Sequence, residues 1–365
     1  MKMVFYVDMM IRCGAQRVMC NLINFFLGPD NEIILINDFP LNDEVPHYSV
    51  PNTIKRYYLH NTNTKGHLFK NIKRIRLLRK ILKKEQPDIA VSFLGRPNIR
   101  LLIATKGLRF KKIVSVRNDP RYEYGMSRLK RSFANWLFKR ADGVVFQTEE
   151  ARNYFNKIKD KKSFIISNSV DSAFYDINCN PCLNNSIVTF GRLEKQKNHA
   201  MLIDAFNLIS NDFPEINLSI FGNGSLYPSL KEKIEVLNLT ERIFLKGNTD
   251  AVAQELKNAK LFVLSSDYEG MPNSLMEAMA AGVPCISTDC PCGGPRMLIR
   301  SGVNGLLVPC KDKNALAAAM RTILSNKSIQ KEFNEKAKES ASLFLPDIVN
   351  KKWKNCFLTV YLEGR

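Results

Sequence analysis

Short, largely apolar runs recur along this chain at Met3–Val7, Glu32–Asn37, Ile89–Leu94, Lys112–Val116 and Gly143–Gln147, then at Ile187–Phe190, Leu218–Phe221, Ile243–Gly247 and Leu261–Leu264. Continuous runs of this length read as strands buried on both faces, as in parallel sheets. Between them, apolar residues return at helical spacing, as with Val18, Leu22, Ile23 and Phe26, or across residues 127–140, 199–210, 312–325 and 328–341. Leu256 to Ala259 also reads as helical. Strands alternating with helices predict an α/β protein with doubly wound sheets. The polar, turn-rich residues 172–186 interrupt the pattern, and 365 residues exceed one ordinary core. The expected division is 1–172, a linker at 173–186, 187–345, and a closing segment 346–365 around Trp353 and Phe357.

Candidate chemistry is densest between Asp267 and Gly282. The strand Leu261–Leu264 ends at Ser265 and Ser266, Gly270 and Pro272 break it, and a helix carrying Leu275 to Ala280 follows. Asn273 or Ser274 is the expected N-cap, and Gly282 with Pro284 ends the helix. Such a turn offers backbone N–H groups and about half an elementary charge of helix dipole to an anion. Glu269 and Glu277 suit sugar or ribose hydroxyls, which donate hydrogen bonds to carboxylates. The same two acids also fit a solvated helix face. Upstream, Gly191 permits close approach to the backbone after the strand Ile187–Phe190, and Arg192 and Lys197 bring two cations towards the same opening. Gly222-Asn223-Gly224 lacks the third glycine of a dinucleotide fingerprint, Tyr227 standing in its place.

Charge divides the chain. Residues 1–180 hold 32 Lys and Arg against 16 Asp and Glu, and the remainder 22 against 19. Residues 45–84 contain 11 cations and no acid. Leu68, Ile72, Ile75, Leu78 or Arg79, and Leu82 mark the expected apolar face of a basic helix, with Lys70, Lys73, Arg74, Lys80, Lys83 and Lys84 on other faces. An anionic membrane surface, a phosphorylated substrate or a solvated domain face all fit this helix. Nucleic acid is not expected, since no zinc finger, RNA-recognition signature or basic-aromatic interleaving is visible. Nine scattered cysteines match reduced thiols; Cys179 and Cys182 with Cys290 and Cys292 have poor zinc spacing. No apolar run reaches the roughly 20 residues of a membrane span, and the N-terminus has no signal-peptide layout. A cytoplasmic enzyme, peripheral on the inner face of the plasma membrane, is expected.

The stretch from Glu269 to Pro284 resembles the E-x7-E signature of retaining glycosyltransferases of family 4, which have the GT-B fold: two Rossmann-like domains with an interdomain cleft. Gly191-Arg192-Leu193 with Lys197-Asn198 is similar to that family's G-R-L-x-x-x-K-N motif. The resemblance implies that residues 1–172 bind the acceptor, that 187–345 bind a nucleotide sugar, and that the last helix crosses back onto the first domain. It implies that Glu269 touches the donor sugar and Glu277 holds the ribose, while Gly270, Met271, Asn273 and Ser274 line the diphosphate with Arg192 and Lys197. Gly222 and Lys246 would lie near the base. Arg12 to Val18 is similar to the family's G-G-A-E-R-V loop, with Gly14 facing the cleft; Cys13 replaces its first glycine and Gln16 its acid. Arg117 stands at a strand end where many relatives carry a histidine, and is expected to bind phosphate or carboxylate. Arg192, Lys197 and Glu269 are the expected catalytic residues. No metal or cofactor is expected beyond a donor such as a UDP-sugar, and the acceptor expected is a glycan, possibly one linked to undecaprenyl diphosphate.

Overall fold

The structure is a computed structural model that describes residues 1–40, 47–59 and 67–363; of His67 and Leu68 only the backbone is described. Part of the acid-free stretch 45–84, and the side chain of Leu68 on the expected apolar face, therefore lie outside the described residues. The chain divides into two compact units, one built from Met1–Asn168 with Val349–Arg365, the other from Ser169–Ile348.

The first unit contains β1 (Lys2–Val7), α1 (Gly14–Phe26), β2 (Glu32–Asn37), β3 (Lys55–Tyr58), α2 (His67–Glu85), β4 (Ile89–Phe93), α3 (Gly95–Ala104), β5 (Lys111–Ser115), α4 (Pro120–Tyr124), α5 (Arg128–Phe138), β6 (Gly143–Phe146), α6 (Glu149–Tyr154) and β7 (Ser163–Ile165). Its sheet is parallel throughout, in the order β3-β2-β1-β4-β5-β6-β7. Met3 is paired with Ile33 on one side and Ile89 on the other. Met3 to Val7 are fully buried, as a central parallel strand requires.

The second unit contains β8 (Ser186–Phe190), α7 (His199–Asn207), β9 (Asn217–Phe221), α8 (Tyr227–Val236), β10 (Ile243–Gly247), α9 (Val252–Lys257), β11 (Ala259–Leu264), α10 (Asn273–Ala280), β12 (Cys285–Thr288), α11 (Gly294–Leu298), β13 (Leu306–Val308), α12 (Lys313–Leu324) and α13 (Lys327–Ala341). Its parallel sheet runs β10-β9-β8-β11-β12-β13, with apolar cores on its two faces. The last helix, α14 (Pro346–Leu362), places Val349, Trp353, Cys356, Phe357 and Val360 in the core of the first unit.

Three expectations change. Residues 173–186 do not stand apart as a linker: Tyr175 donates to the Ala341 carbonyl at 2.6 Å, Asn334 to the Cys179 carbonyl at 3.2 Å and Lys338 to the Ile177 carbonyl at 2.6 Å, fastening the segment to α13. α9 ends at Lys257, so Ala259 opens a strand rather than closing a helix. α2 buries Leu78, Ile81, Leu82 and Glu85 while Ile72 is exposed, because Glu85 takes hydrogen bonds from Lys55 and Tyr57 and an ion pair from Lys2.

Candidate functional site

In the second unit the sheet order reverses between β8 and β11, so the connections leaving their carboxyl ends diverge and open a crevice there. Those two connections are residues 191–198 and 265–273. Lys197 Nζ lies 2.6 Å from Glu269 Oε1, the two side chains being 15% and 9% exposed. Ser266 Oγ donates to the same oxygen at 2.7 Å. Gln196 donates to the Tyr268 carbonyl at 2.9 Å and reaches Glu269 Oε2 at 3.5 Å. The Asp267 N–H donates to the Gln196 carbonyl at 2.8 Å, and Ser265 Oγ to the Lys197 carbonyl at 2.9 Å.

Asn198 joins the same seam. It adopts the left-handed conformation at φ 47°, which asparagine tolerates better than most residues. Its side chain caps α7 by accepting from Met201 N–H and donates to Asp267 Oδ1 at 2.9 Å. The outcome is a cation and a carboxylate held together at the sheet's switch point.

The N-cap of α10 is Pro272, not Asn273 or Ser274, and no side chain hydrogen-bonds there as a cap. Asn273 and Ser274 are therefore the first helical residues, half-buried at the positive end of the dipole. Gly270, Met271 and Glu277 are buried beside them. Gly270 is pinned from the far side, because a Cβ on Gly294 would lie 1.7 Å from the Gly270 carbonyl oxygen. Only glycine at 294 lets the two backbones meet.

Close backbone approach also explains Gly191 and Gly222, although their first neighbours belong to the protein. A Cβ on Gly222, whose φ is +136°, would fall 2.0 Å from the Gly191 carbonyl oxygen, and one on Gly191 would meet the stem of Lys197 at 3.0 Å. The Leu193 N–H donates to the Asn223 carbonyl at 2.9 Å, and the Gly222 N–H to the Gly247 carbonyl at 2.7 Å. Gly222 thus braces the loop that carries Arg192 and Lys197. Arg192 itself is exposed. Lys246, near the end of β10, is exposed with its ammonium 4.9 Å from the Phe244 ring centroid.

Several residues here carried no readable motif. Thr288 Oγ1 donates to the Ser266 carbonyl at 2.5 Å, and the Cys290 thiol lies 3.3 Å from the same oxygen. Contact with Cys310 and burial raise the Cys290 thiol, while the same contact lowers Cys310. His199 is buried beside the Gly191 and Arg192 backbone; burial and the charge of Lys197 outweigh those groups and lower it to about 4, so it is neutral at pH 7. Only Ser266, at the end of an expected strand, and Gln196, inside the G-R-L-x-x-x-K-N motif, were within reach of sequence reasoning. Among the described residues no group of three or more His, Cys, Asp and Glu side chains is placed to hold a metal ion.

Gly14 and Arg117 belong to the first unit. Gly14 is the exposed first residue of α1, following Cys13 in extended conformation. Arg117, expected to offer its charge to an anion, is instead buried. Its guanidinium donates to Asn168 and lies 5.0 Å from the Phe93 ring and 5.8 Å from that of Trp353. Burial lowers Arg117 to about 9, which leaves it charged at neutral pH, and raises the nearby Glu123 to about 8. The side chain is turned inward because aromatic faces and the Asn168 amide oxygen receive it there.

A lysine–glutamate pair and a helix start without a side-chain cap stand at the switch point of a parallel sheet, in a chain with two such sheets. Comparison with known proteins gives the family. The family model Glycosyltransferase Family 4 matches residues 13–174, and Glycosyl transferases group 1 matches 183–340. The chain belongs to the family 4 glycosyltransferases of GT-B fold. It is 26% identical, over 91% of its length and 92% of the relative's, to the N-acetylgalactosamine-N,N'-diacetylbacillosaminyl-diphospho-undecaprenol 4-alpha-N-acetylgalactosaminyltransferase of Campylobacter jejuni. It is 30% identical to an exopolysaccharide phosphotransferase of Streptomyces coelicolor over 70% of its own length, but spans only 27% of that protein. In fold it is similar to Anabaena HepE, solved in complex with UDP and glucose: TM-score 0.83 at 17% identity, covering 98% of this chain and 99% of that one. Its relatives include glycosyltransferases of bacterial surface polysaccharide and lipid-linked glycan synthesis.

Proposed function

We propose that this glycosyltransferase moves a hexose or N-acetylhexosamine from a UDP-sugar to a lipid-diphosphate-linked glycan, with retention at the anomeric carbon and without a metal. The observation that carries the reading is the 2.6 Å Lys197–Glu269 pair beside the first turn of α10. A donor diphosphate lying on that turn would meet Lys197, Arg192 and the amides of Asn273 and Ser274, while Glu269 is left to accept from sugar hydroxyls. Breaking the sugar–phosphate bond leaves negative charge on the diphosphate, so donors aimed at it act more strongly in the transition state than in the ground state. The departing phosphate then takes the acceptor proton. Glu277 is assigned the ribose.

The acceptor half of the reading rests on charge and on the undecaprenol-linked substrates in the name of the Campylobacter relative. It places the enzyme peripherally on the inner face of the plasma membrane, drawn there by the basic first half of the chain. α2 contributes Lys73, Arg76, Lys80, Lys83 and Lys84, all exposed, and each cation near an anionic surface contributes about 1 kcal/mol. Among the described residues no helix is long and apolar enough to cross a membrane.

A thermal-shift panel of nucleotide sugars tests the donor assignment. A matching donor at about 100 times its dissociation constant stabilises by roughly 2.7 kcal/mol, and donor hydrolysis should accompany it. Absence of stabilisation by every UDP-sugar would remove the donor assignment, and binding without hydrolysis or transfer would leave a non-catalytic GT-B partner subunit as the better reading.

A further inference from the structure

The first unit carries an apolar ridge that its own fold does not cover. Leu129, Phe133 and Trp136 recur at the i, i+4, i+7 spacing of one helix face on α5, and Met126 precedes them. Leu129 is 84% exposed, Met126 76% and Trp136 53%. The opposite face of α5 buries Ala134, Leu137 and Phe138, so the helix is held to the domain and cannot roll the ridge inward. The ridge is packed along its length: the Phe133 and Trp136 ring centroids are 5.9 Å apart, and the Arg140 guanidinium sits 3.9 Å from the Trp136 centroid.

Exposed cations flank it at Arg128, Lys130 and Lys139. α3 packs against both α5 and α2, which joins the ridge to the basic face of α2, where Phe69 and Ile72 are exposed as well. From residue 67 to 140 the chain holds 21 Lys and Arg against 4 Asp and Glu. Three of the four acids are engaged by the protein itself: Glu85 by Lys2 and Lys55, Asp88 by the Lys2 N–H, and Asp119 as the cap of α4. The fourth, Glu123, has a buried carboxylate oxygen. The outward charge of this helical layer is positive.

We infer that α5 is the element that enters the membrane, laying Met126, Leu129, Phe133 and Trp136 into the headgroup–acyl boundary of an anionic bilayer while the cations of α5 and α2 meet lipid phosphates. Aliphatic and aromatic side chains on one face of a helix, ringed by Lys and Arg and without acids, are the signature of a helix lying in the interface plane. Charge complementarity selects the anionic bilayer over a neutral one. The inference rests on the lipid-borne acceptor proposed above and sharpens it, since charge on α2 alone would give docking without insertion.

Trp136 supplies the test, because the chain has two tryptophans and the other, Trp353, is fully buried. Adding phosphatidylglycerol vesicles to the full chain should blue-shift its emission and protect it from aqueous quencher. Phosphatidylcholine vesicles should do neither, and Trp136→Phe should lose the response. Leu129→Glu with Phe133→Glu alters exposed positions only; it should weaken sedimentation with anionic vesicles at least tenfold and leave the UDP-sugar thermal shift unchanged. If this variant sediments like the parent and Trp136 does not shift, α5 does not insert. Should charge reversal on α2 then still abolish sedimentation, the membrane reading survives on charge alone. A parent that ignores anionic vesicles overturns both. A parent that is dimeric where the variant is monomeric makes the ridge a contact between copies and overturns the inference.

Discussion

Lys197 and Arg192 carry the same charge on the same loop in different surroundings. Lys197 is paired with a carboxylate that is 9% exposed, and removing one partner of such a pair leaves the other charge uncompensated, at about 3–5 kcal/mol. The Arg192 side chain is exposed. Lys197→Ala should therefore lose both stability and turnover, whereas Arg192→Ala should melt with the parent while turnover falls roughly a hundredfold. Calorimetry beside a donor-hydrolysis assay separates the two; Arg192→Ala turnover within twofold of the parent would remove it from the mechanism. His199, next but one to Lys197, sets a pH limit. Folding lowers it from its ordinary 6.5 to about 4, chiefly by burial. Between those values the unfolded chain binds the proton and the folded chain does not, so stability rises with pH there and is lost as pH falls from 6.5 towards 4. The loss can reach about 3 kcal/mol. In urea titrations at stepped pH, His199→Gln should flatten that window; an unchanged slope would show that other groups govern it.

At the scale of elements, the donor crevice depends on glycines that let loops touch. Gly294→Ala would drive a methyl group into the Gly270 carbonyl, at 1.7 Å before relaxation, so the Glu269–Gly270 turn must move. UDP-sugar affinity should drop at least about tenfold, or roughly 1.4 kcal/mol, in calorimetric titration. Gly28→Ala, where a Cβ meets nothing within 4 Å, is the control and should bind like the parent. Equal affinities would mean that the turn is positioned otherwise. Much of this framework could be read in the sequence, because parallel strands buried on both faces write themselves as apolar runs, and because Lys197 and Glu269 lie in motifs at the ends of two of them. The rest depended on partners distant along the chain. The strand end at Arg117 is where the pattern put it, yet Phe93, Asn168 and Trp353 turn its side chain inward, and no local periodicity encodes them. Polarity at 173–186 read as solvent exposure, whereas Asn334 and Lys338 on α13 answer its carbonyls. Side-chain chemistry nominated Asn273 or Ser274 as the cap of α10, but the N-cap is Pro272 and both residues lie inside the first turn.

For the whole molecule, the consequential fact is that the first unit is assembled from both ends of the chain. Residues 349–365 belong with 1–168, and α14 brings Trp353 and Phe357, both fully buried, into that core. Trp353 stacks on Phe93 at 5.7 Å and Phe357 on Phe5 at 6.3 Å. The second unit, continuous from Ser169 to Ile348, has apolar cores of its own. Removing a buried tryptophan costs about 3–5 kcal/mol, so Trp353→Ala should destabilise the first unit alone. A UDP-sugar should stabilise the second alone, by mass action on the folded donor site. Calorimetric unfolding should then show two transitions that move independently, one lowered by Trp353→Ala and one raised by the donor, with additive effects when both are applied. If a single transition responds to both, the two units unfold together and the acceptor half is stabilised whenever the donor half is filled.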